Sequence, residues 1–90
     1  MMKYLVTYDV RNDKRWHKLF KYLKNMGLNV QLSCFEVEMK RSNMLKFVAD
    51  IREIINERED SVYIFPLSDY LESMVVKIGR KEEIDEGKVV

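Results

Sequence analysis

The sequence predicts a single α+β domain in which two helices lie against an antiparallel sheet. The chain has 90 residues, 47% of them hydrophobic, which is the size and apolar content of one domain with one core. Its apolar residues alternate in some segments and recur every three or four positions in others, and these are the periods of strands and helices. We therefore expect one folding unit that needs no disulfide or structural metal.

The first predicted strand is residues 3–9 (KYLVTYD), where apolar side chains occupy both parities. This pattern is typical of a central strand that is covered on both faces. A helix is expected next, from Asn12 or Asp13, both good N-cap residues, to Met26. Its apolar side chains fall on one arc and its lysines on the opposite arc. Gly27 follows where a left-handed helix stop is expected.

Within residues 28–40, apolar side chains alternate with polar or small ones in two successive series, and the phase changes near Ser33. The phase change predicts two short strands joined by a tight turn or bulge, although one bent strand would also fit. Ser42 is then expected to cap a second helix, whose apolar residues continue at helical spacing as far as Ile55.

Residues 61–67 (SVYIFPL) predict a fourth strand, which Pro66 confines to an edge of the sheet or to the strand's own end. Apolar side chains again alternate with other residues over 71–79, and this pattern predicts a fifth strand. Residues 80–90 are mostly charged and are expected to form a loose tail. The predicted organisation is thus one domain over residues 1–79 followed by the tail.

The predicted order of elements is strand, helix, strand, strand, helix, strand, which is the pattern of ferredoxin-like domains. The fifth strand is additional to that pattern. Two helices cover only one face of the sheet, whereas the first strand is apolar on both faces. A second copy of the chain is the expected cover for the other face, so the sequence predicts a homodimer.

The charge and cysteine content narrow the functional class. The formal net charge is +1, but residues 1–41 carry nine Lys and Arg against four Asp and Glu, whereas residues 42–90 carry seven against eleven. The basic first half favours a local phosphate-binding face. Cys34 is the only cysteine, which suits a reducing compartment, so we expect a cytoplasmic protein. No apolar segment has the length of a membrane span or the pattern of a signal peptide.

Asp9 is the first candidate functional residue, because it ends an apolar strand directly before a turn. Capping of that turn is an equally good interpretation. Magnesium prefers oxygen ligands and commonly takes only one or two protein carboxylates. Two copies of Asp9 across a twofold axis are therefore a candidate Mg²⁺ site, whose ion would promote phosphodiester hydrolysis.

Basic residues cluster at the start of the first helix and form a candidate binding face for a nucleic-acid backbone. The face consists of Lys14, Arg15, Lys18 and Lys21. A solvated basic surface that serves solubility is the alternative. Aromatic residues such as Phe35 lie on core-facing parities, which favours packing over base stacking.

The stretches YLVTYDV and NDKRWHKLFKYLKNMGLNVQLSCFEVEM resemble the CRISPR-associated protein 2 family, whose members act in spacer acquisition. The resemblance covers most of the chain. Its most specific residues are Tyr8 and Asp9, the Asp-Lys-Arg of residues 13–15, Gly27, and Gln31, Ser33 and Phe35 in a Gln-x-Ser-x-Phe run.

The resemblance implies a ferredoxin-like homodimer whose fifth strand crosses to the partner's sheet, with Asp9 binding magnesium at the interface. It also implies two different functions. One is a metal-dependent endonuclease acting on RNA or DNA, and the other is a non-catalytic scaffold that bridges CRISPR integrase subunits on spacer DNA. Arg15 and Phe35 match positions expected to contact the substrate. A stand-alone toxin-type ribonuclease of the same fold is a third interpretation.

Three positions depart from the family's usual residues. Trp16 and Asn29 stand where basic residues are common, and Cys34 stands where Val is usual. The loss of two cations weakens the case for phosphate binding more than the case for the fold, because neither change disturbs the hydrophobic pattern.

Overall fold

The computed structural model describes residues 1–76, 78 and 79. The element order is β1 (Met2–Asp9), α1 (Asp13–Lys24), β2 (Gly27–Gln31), β3 (Cys34–Met39), α2 (Met44–Ile54), β4 (Ser61–Leu67) and α3 (Asp69–Ser73), with a 3₁₀ turn at Arg41–Asn43 before α2. In this part of the chain no helix is long and apolar enough to cross a membrane.

The four strands form one antiparallel sheet in the order β2-β3-β1-β4. This confirms the predicted α+β ferredoxin-like arrangement, with β1 in the centre and the Pro66-containing β4 at an edge. The phase change near Ser33 is a turn between two strands, and the β2–β3 register shifts between Asn29 and Gln31. Asn29 supports that turn, since its side-chain amide donates to the backbone oxygens of Gln31 and Cys34.

The core lies between one face of the sheet and helices α1 and α2. Alternate residues of β1 and β3 point toward the helices, because side chains alternate across a strand. The buried hydrophobic residues are Tyr4, Val6, Tyr8, Leu19, Phe20, Leu23, Phe35, Val37, Met39, Phe47 and Ile51.

The opposite face of the sheet is not covered within the described residues. Leu5 and Thr7 are half-buried there, while Leu28, Tyr63 and Phe65 are exposed by 66%, 62% and 47%. We call these five residues the open sheet face. Among the described residues, β1 is therefore covered on one face alone, the face against the helices.

Gly27 does not have the predicted left-handed conformation. Helix α1 ends at Lys24 rather than Met26, and Gly27 is the first residue of β2 with no positive φ. A Cβ atom at this position would lie 2.0 Å from the carbonyl oxygen of Glu36. Glycine is required here because the backbones of β2 and β3 approach closely.

Ser42 does not cap α2 as predicted. It lies in the 3₁₀ turn, and the residue before α2 is Asn43, whose side chain makes no capping hydrogen bond. The turn supplies the transition instead, since the N–H of Asn43 donates to the carbonyl oxygen of Lys40 at 2.9 Å. Short 3₁₀ turns are common at helix starts.

The predicted fifth strand is wrong for residues 71–73, which belong to α3. The hydroxyl of Ser68 caps this helix by accepting from the N–H of Leu71 at 3.2 Å, and Lys3 forms an ion pair with Glu72. The cap and the ion pair favour a helix over these residues. Residues 74–76, 78 and 79 lie outside helices and strands, and residue 77 and the predicted tail, 80–90, lie outside the described residues.

Candidate metal and nucleic-acid site

Asp9 is the last residue of β1 and stands opposite Ser61 of β4. Its side chain is on the same side of β1 as those of Leu5 and Thr7, so it lies at the end of the open sheet face. Its side chain is 60% exposed. Both carboxylate oxygens accept from the Arg11 guanidinium, from Nε at 3.2 Å and from Nη2 at 3.1 Å.

The carboxylate of Asp9 supplies the hard oxygen donors that a divalent cation prefers. Within the described residues, no three His, Cys, Asp or Glu side chains are grouped so that they could hold a metal ion. Asp9 is the exposed carboxylate that the described part of the chain places at the end of β1. These donors fit a site shared between two copies, provided that Arg11 gives up its contact with the oxygens.

Asp60 is a buried carboxylate close to this site that sequence reasoning missed. Its side chain is 0% exposed. It accepts from the N–H groups of Arg11 and Asn56, each at 2.9 Å, and from Nε and Nη2 of Arg15 at 2.7 and 3.0 Å. The Arg15 hydrogen bond, followed by the two backbone bonds, holds the pKa of Asp60 well below its usual range.

The sequence carries only a faint signal for Asp60. It is one acidic residue among several in the turn NEREDS before β4. The pairing with Arg15 spans 45 residues, so no local spacing rule connects the two. The turn itself explains part of the arrangement, because the N–H of Asp60 also donates to the carbonyl oxygen of Asn56 at 2.8 Å.

The structure separates Arg15 from the three lysines of the predicted basic face. The Arg15 side chain is 23% exposed, and it also pairs with Glu59 at 3.0 Å, so its guanidinium anchors α1 to the start of β4. Lys14, Lys18 and Lys21 are exposed. They line a shallow depression on α1 together with Asp13 and His17.

Phe35 is 0% exposed, so its side chain offers no surface to a nucleic acid. The predicted substrate contact at Phe35 is therefore replaced by a place in the core. The ring stacks with Tyr8 and meets Phe20 edge to face. Trp16, which replaces a common basic residue, stacks on Phe20 at a centroid distance of 5.1 Å. Both aromatics serve packing, as their parities indicate.

Burial favours the protonated forms of Tyr8 and Cys34, which lie in β1 and β3. Burial raises the pKa of the Tyr8 hydroxyl, which has no hydrogen-bond partner among the described residues. Partial burial also raises the pKa of the Cys34 thiol, which disfavours the nucleophilic thiolate.

Comparison with known proteins identifies the family. The family model described as CRISPR associated protein Cas2 matches residues 2–75. The chain is 39% identical over 79 residues to a CRISPR-associated endoribonuclease Cas2 of Geobacter sulfurreducens, covering 86% of this chain and 83% of that protein. It is 33% identical to a CRISPR-associated endonuclease Cas2 of Halalkalibacterium halodurans, covering 93% of each.

Solved structures agree with this result. The crystal structure of Streptococcus pyogenes Cas2 at pH 6.5 superposes with a TM-score of 0.78 at 29% identity, over 87% of this chain and 100% of that chain. A chain of a partial Cas6-RT-Cas1–Cas2 complex superposes with a TM-score of 0.77 at 29% identity, over 87% of this chain and 91% of that chain.

The sequence resemblance is thereby confirmed, and the CRISPR association of the named relatives disfavours the interpretation as a stand-alone toxin. The four-stranded sheet with β1 at its centre, the Asp9 carboxylate at the end of that strand, and a family match over residues 2–75 all agree. This chain belongs to the CRISPR-associated Cas2 family.

Proposed function

We propose that this chain is an endonuclease of CRISPR spacer acquisition that hydrolyses phosphodiester bonds in RNA or DNA. The proposal includes a cytoplasmic homodimer in which the Asp9 carboxylates of two copies hold one Mg²⁺ ion. The observation that carries it is the position of Asp9, exposed at the end of the central strand and at the rim of the open sheet face. The names of the relatives as endoribonucleases or endonucleases support the same activity.

The open sheet face supports the homodimer. Leu28, Tyr63 and Phe65 are large, exposed and apolar, and the rings of Tyr63 and Phe65 stack with their centroids 6.2 Å apart. An apolar sheet face without a cover is a typical interaction surface. A second copy that packs on this face brings its own Asp9 toward the first, because Asp9 lies on the same side of the sheet.

The chemistry follows from the residues around Asp9. A divalent cation, when bound, neutralises charge on a phosphodiester and lowers the pKa of water. The chain's own contribution is to hold the carboxylates: β1 fixes the Asp9 backbone by pairing with β4, and the start of α1 stands next to it. Lys14, Lys18 and Lys21 then provide a cationic path for the phosphate backbone of the substrate.

A second function, the bridging of integrase subunits on spacer DNA, is favoured by one specific observation. A chain of the same fold is part of a Cas1–Cas2 complex. Bridging needs the dimer and the lysine face, whereas it does not need hydrolysis at Asp9. The two functions therefore differ in their dependence on this single carboxylate.

Replacement of Asp9 tests the nuclease. We expect Asp9→Asn to abolish the divalent-dependent cleavage of RNA and DNA while leaving the dimer intact, since the amide keeps the shape and loses the charge. Asp69→Asn is the matched control, because Asp69 is an exposed carboxylate in α3, beyond the end of β4 that lies away from Asp9. Gel assays of cleavage with and without a chelator give the readout.

Two results would contradict the nuclease. Cleavage that continues equally in chelator would show that no divalent ion is required, and full cleavage by Asp9→Asn would show that this carboxylate takes no part. If Asp9→Asn cleaves nothing but still supports spacer integration with the integrase partner, bridging is separable from hydrolysis.

A further inference from the structure

The buried carboxylate of Asp60 connects three separate segments beneath the Asp9 site. It accepts hydrogen bonds from the N–H of Arg11 between β1 and α1, from the N–H of Asn56 after α2, and twice from the Arg15 guanidinium of α1. A buried carboxylate is costly unless its oxygens are paired. Here both oxygens are paired, so the three segments are held in a defined arrangement.

Arg11 connects this arrangement to Asp9 through hydrogen bonds. The backbone of Arg11 is bound to Asp60, and its guanidinium is bound to both oxygens of Asp9. Asp60 also directly precedes Ser61, the residue that stands opposite Asp9 in the β1–β4 pairing. The point from which the Arg11 side chain leaves the backbone is thus fixed relative to the carboxylate that it contacts.

Arg11 and a divalent cation compete for the same two oxygens. The Arg11–Asp9 pair is largely exposed, with side chains that are 67% and 60% accessible. Exposed ion pairs of this kind are weak, so a cation of higher charge can displace the guanidinium.

We propose that Asp60 is a positioning residue for the Asp9 site, which fixes the backbone of Arg11 so that its guanidinium competes with a divalent cation for the Asp9 carboxylate. The part of this inference that concerns the cation rests on the proposed function. The part that concerns Arg11 does not.

The first test follows the Arg11 side chain in the metal-free protein, using the Nε–H signal of arginine in ¹⁵N NMR spectra. We expect Asp60→Asn to move the Arg11 signal toward that of free arginine, because the amide replaces one of the two acceptor oxygens by a donor and so weakens the attachment of residues 10–12, the loop between β1 and α1. Glu59→Gln is the matched control: it removes the other carboxylate on Arg15 but touches no backbone N–H of the loop. An Arg11 signal that is the same in Asp60→Asn and in the unchanged protein would overturn the proposal.

The second test measures Mn²⁺ affinity by calorimetry. Removal of a weak competitor predicts that Arg11→Gln binds Mn²⁺ about two- to fivefold more tightly, and that Asp60→Asn changes the affinity in the same direction by a smaller factor. The combined variant should equal Arg11→Gln alone, since Asp60 acts through Arg11. An Asp60→Asn effect that persists undiminished in the Arg11→Gln background would refute the positioning role.

Failure of the proposed metal site at Asp9 would give a different result from failure of the positioning role of Asp60. If Asp9→Asn binds Mn²⁺ as tightly as the unchanged protein, the metal site lies elsewhere, whereas the NMR test still decides the role of Asp60. If Asp60→Asn does not fold, the comparison of Arg15→Gln with Arg15→Gln/Asp60→Asn replaces it. That double variant leaves no unpaired Arg15. Replacement of Asp60 should again move the Arg11 signal toward that of free arginine.

Discussion

At the scale of single residues, the most consequential side chain is Asp60. Its carboxylate replaces contacts with water by hydrogen bonds to the protein. Such a group stabilises the fold only while it is charged, because Arg15 and the two N–H groups all favour the carboxylate over the acid. The stability of the protein should therefore depend on pH through this residue.

The sign of that dependence follows from the lowered pKa of Asp60. The unfolded chain, whose aspartates titrate at about pH 4, binds the proton more readily than the folded chain, so acid favours unfolding. We expect the contribution to be fully present above about pH 5 and to be lost progressively as the pH falls below about 4.

Urea unfolding at neutral and acid pH, compared with Asp60→Asn, measures this contribution. The variant should lose roughly 3 kcal/mol of unfolding free energy at neutral pH, which is the cost of breaking a buried pair. It should also show a smaller decrease toward acid than the unchanged protein. Glu59→Gln, whose carboxylate is 60% exposed, should change little. Parallel pH curves for Asp60→Asn and the unchanged protein would contradict the assignment.

Gly27 provides a second prediction at this scale, which concerns the stability lost to a steric clash. A methyl group there would collide with the Glu36 carbonyl, and overpacking of a backbone contact costs about 1–3 kcal/mol or more. Gly79 has a φ of 91°, but a Cβ atom added to it would meet no other atom within 4 Å, so its replacement costs about 1–2 kcal/mol from conformation alone. Thermal unfolding should rank Gly27→Ala below Gly79→Ala, and the reverse order would contradict the account.

At the scale of elements, α1 has one apolar face in the core and one basic face in contact with solvent. Leu19, Phe20 and Leu23 pack into the core, while Lys14, Lys18 and Lys21 remain exposed. Arg15 joins neither group, because its guanidinium ties the helix to Asp60. The cationic stripe is therefore held in a fixed direction by a helix that is anchored at its first turn.

Charge reversal of this stripe tests its role. The triple change Lys14→Glu, Lys18→Glu and Lys21→Glu should weaken nucleic-acid binding and reduce the slope of log affinity against log salt by up to about 3, since each lost phosphate contact contributes about 0.9. Fluorescence anisotropy over a range of salt concentrations measures both. A matched triple reversal at Lys40, Lys46 and Arg52, which are exposed near α2, should change the slope little. Equal slopes for the stripe variant and the unchanged protein would exclude the stripe.

The elements also show what the sequence can predict. The apolar patterns placed the four strands and both principal helices, apart from the ends of the helices, because most of these elements bury an apolar face against the core. The same alternation misplaced a strand over residues 71–73, since the Ser68 cap selects a helix. Gly27 was located correctly but for the wrong reason: close approach between strands leaves no local signature in the sequence.

The candidate site was predictable only in part. Asp9 follows directly from its place at the end of an apolar strand, and the exposed lysines follow from the helical period. Asp60, the anchoring of Arg15 and the burial of Phe35 depend on contacts between residues far apart in the chain. Such contacts are set by how the sheet and helices pack together, which no local pattern records.

At the scale of the whole molecule, the account depends on how two copies meet. The described part of the chain leaves Leu28, Tyr63 and Phe65 exposed on the open sheet face and places the Asp9 carboxylate at its rim. In the proposed dimer, association through this face covers the apolar residues and brings two acidic groups together. The free energy of burying the face then offsets the repulsion between the carboxylates, which a shared cation would further reduce.

The measurement that tests this claim most directly is cross-linking through Asp9. In a Cys34→Ser background, which leaves no native thiol, Asp9→Cys introduces one thiol per chain at the proposed site. A short thiol-specific cross-linker should then produce covalent dimers in high yield, whereas Lys46→Cys, on the exposed side of α2, should produce none. A preparation that is dimeric in solution but gives no Asp9→Cys cross-link would contradict the shared site.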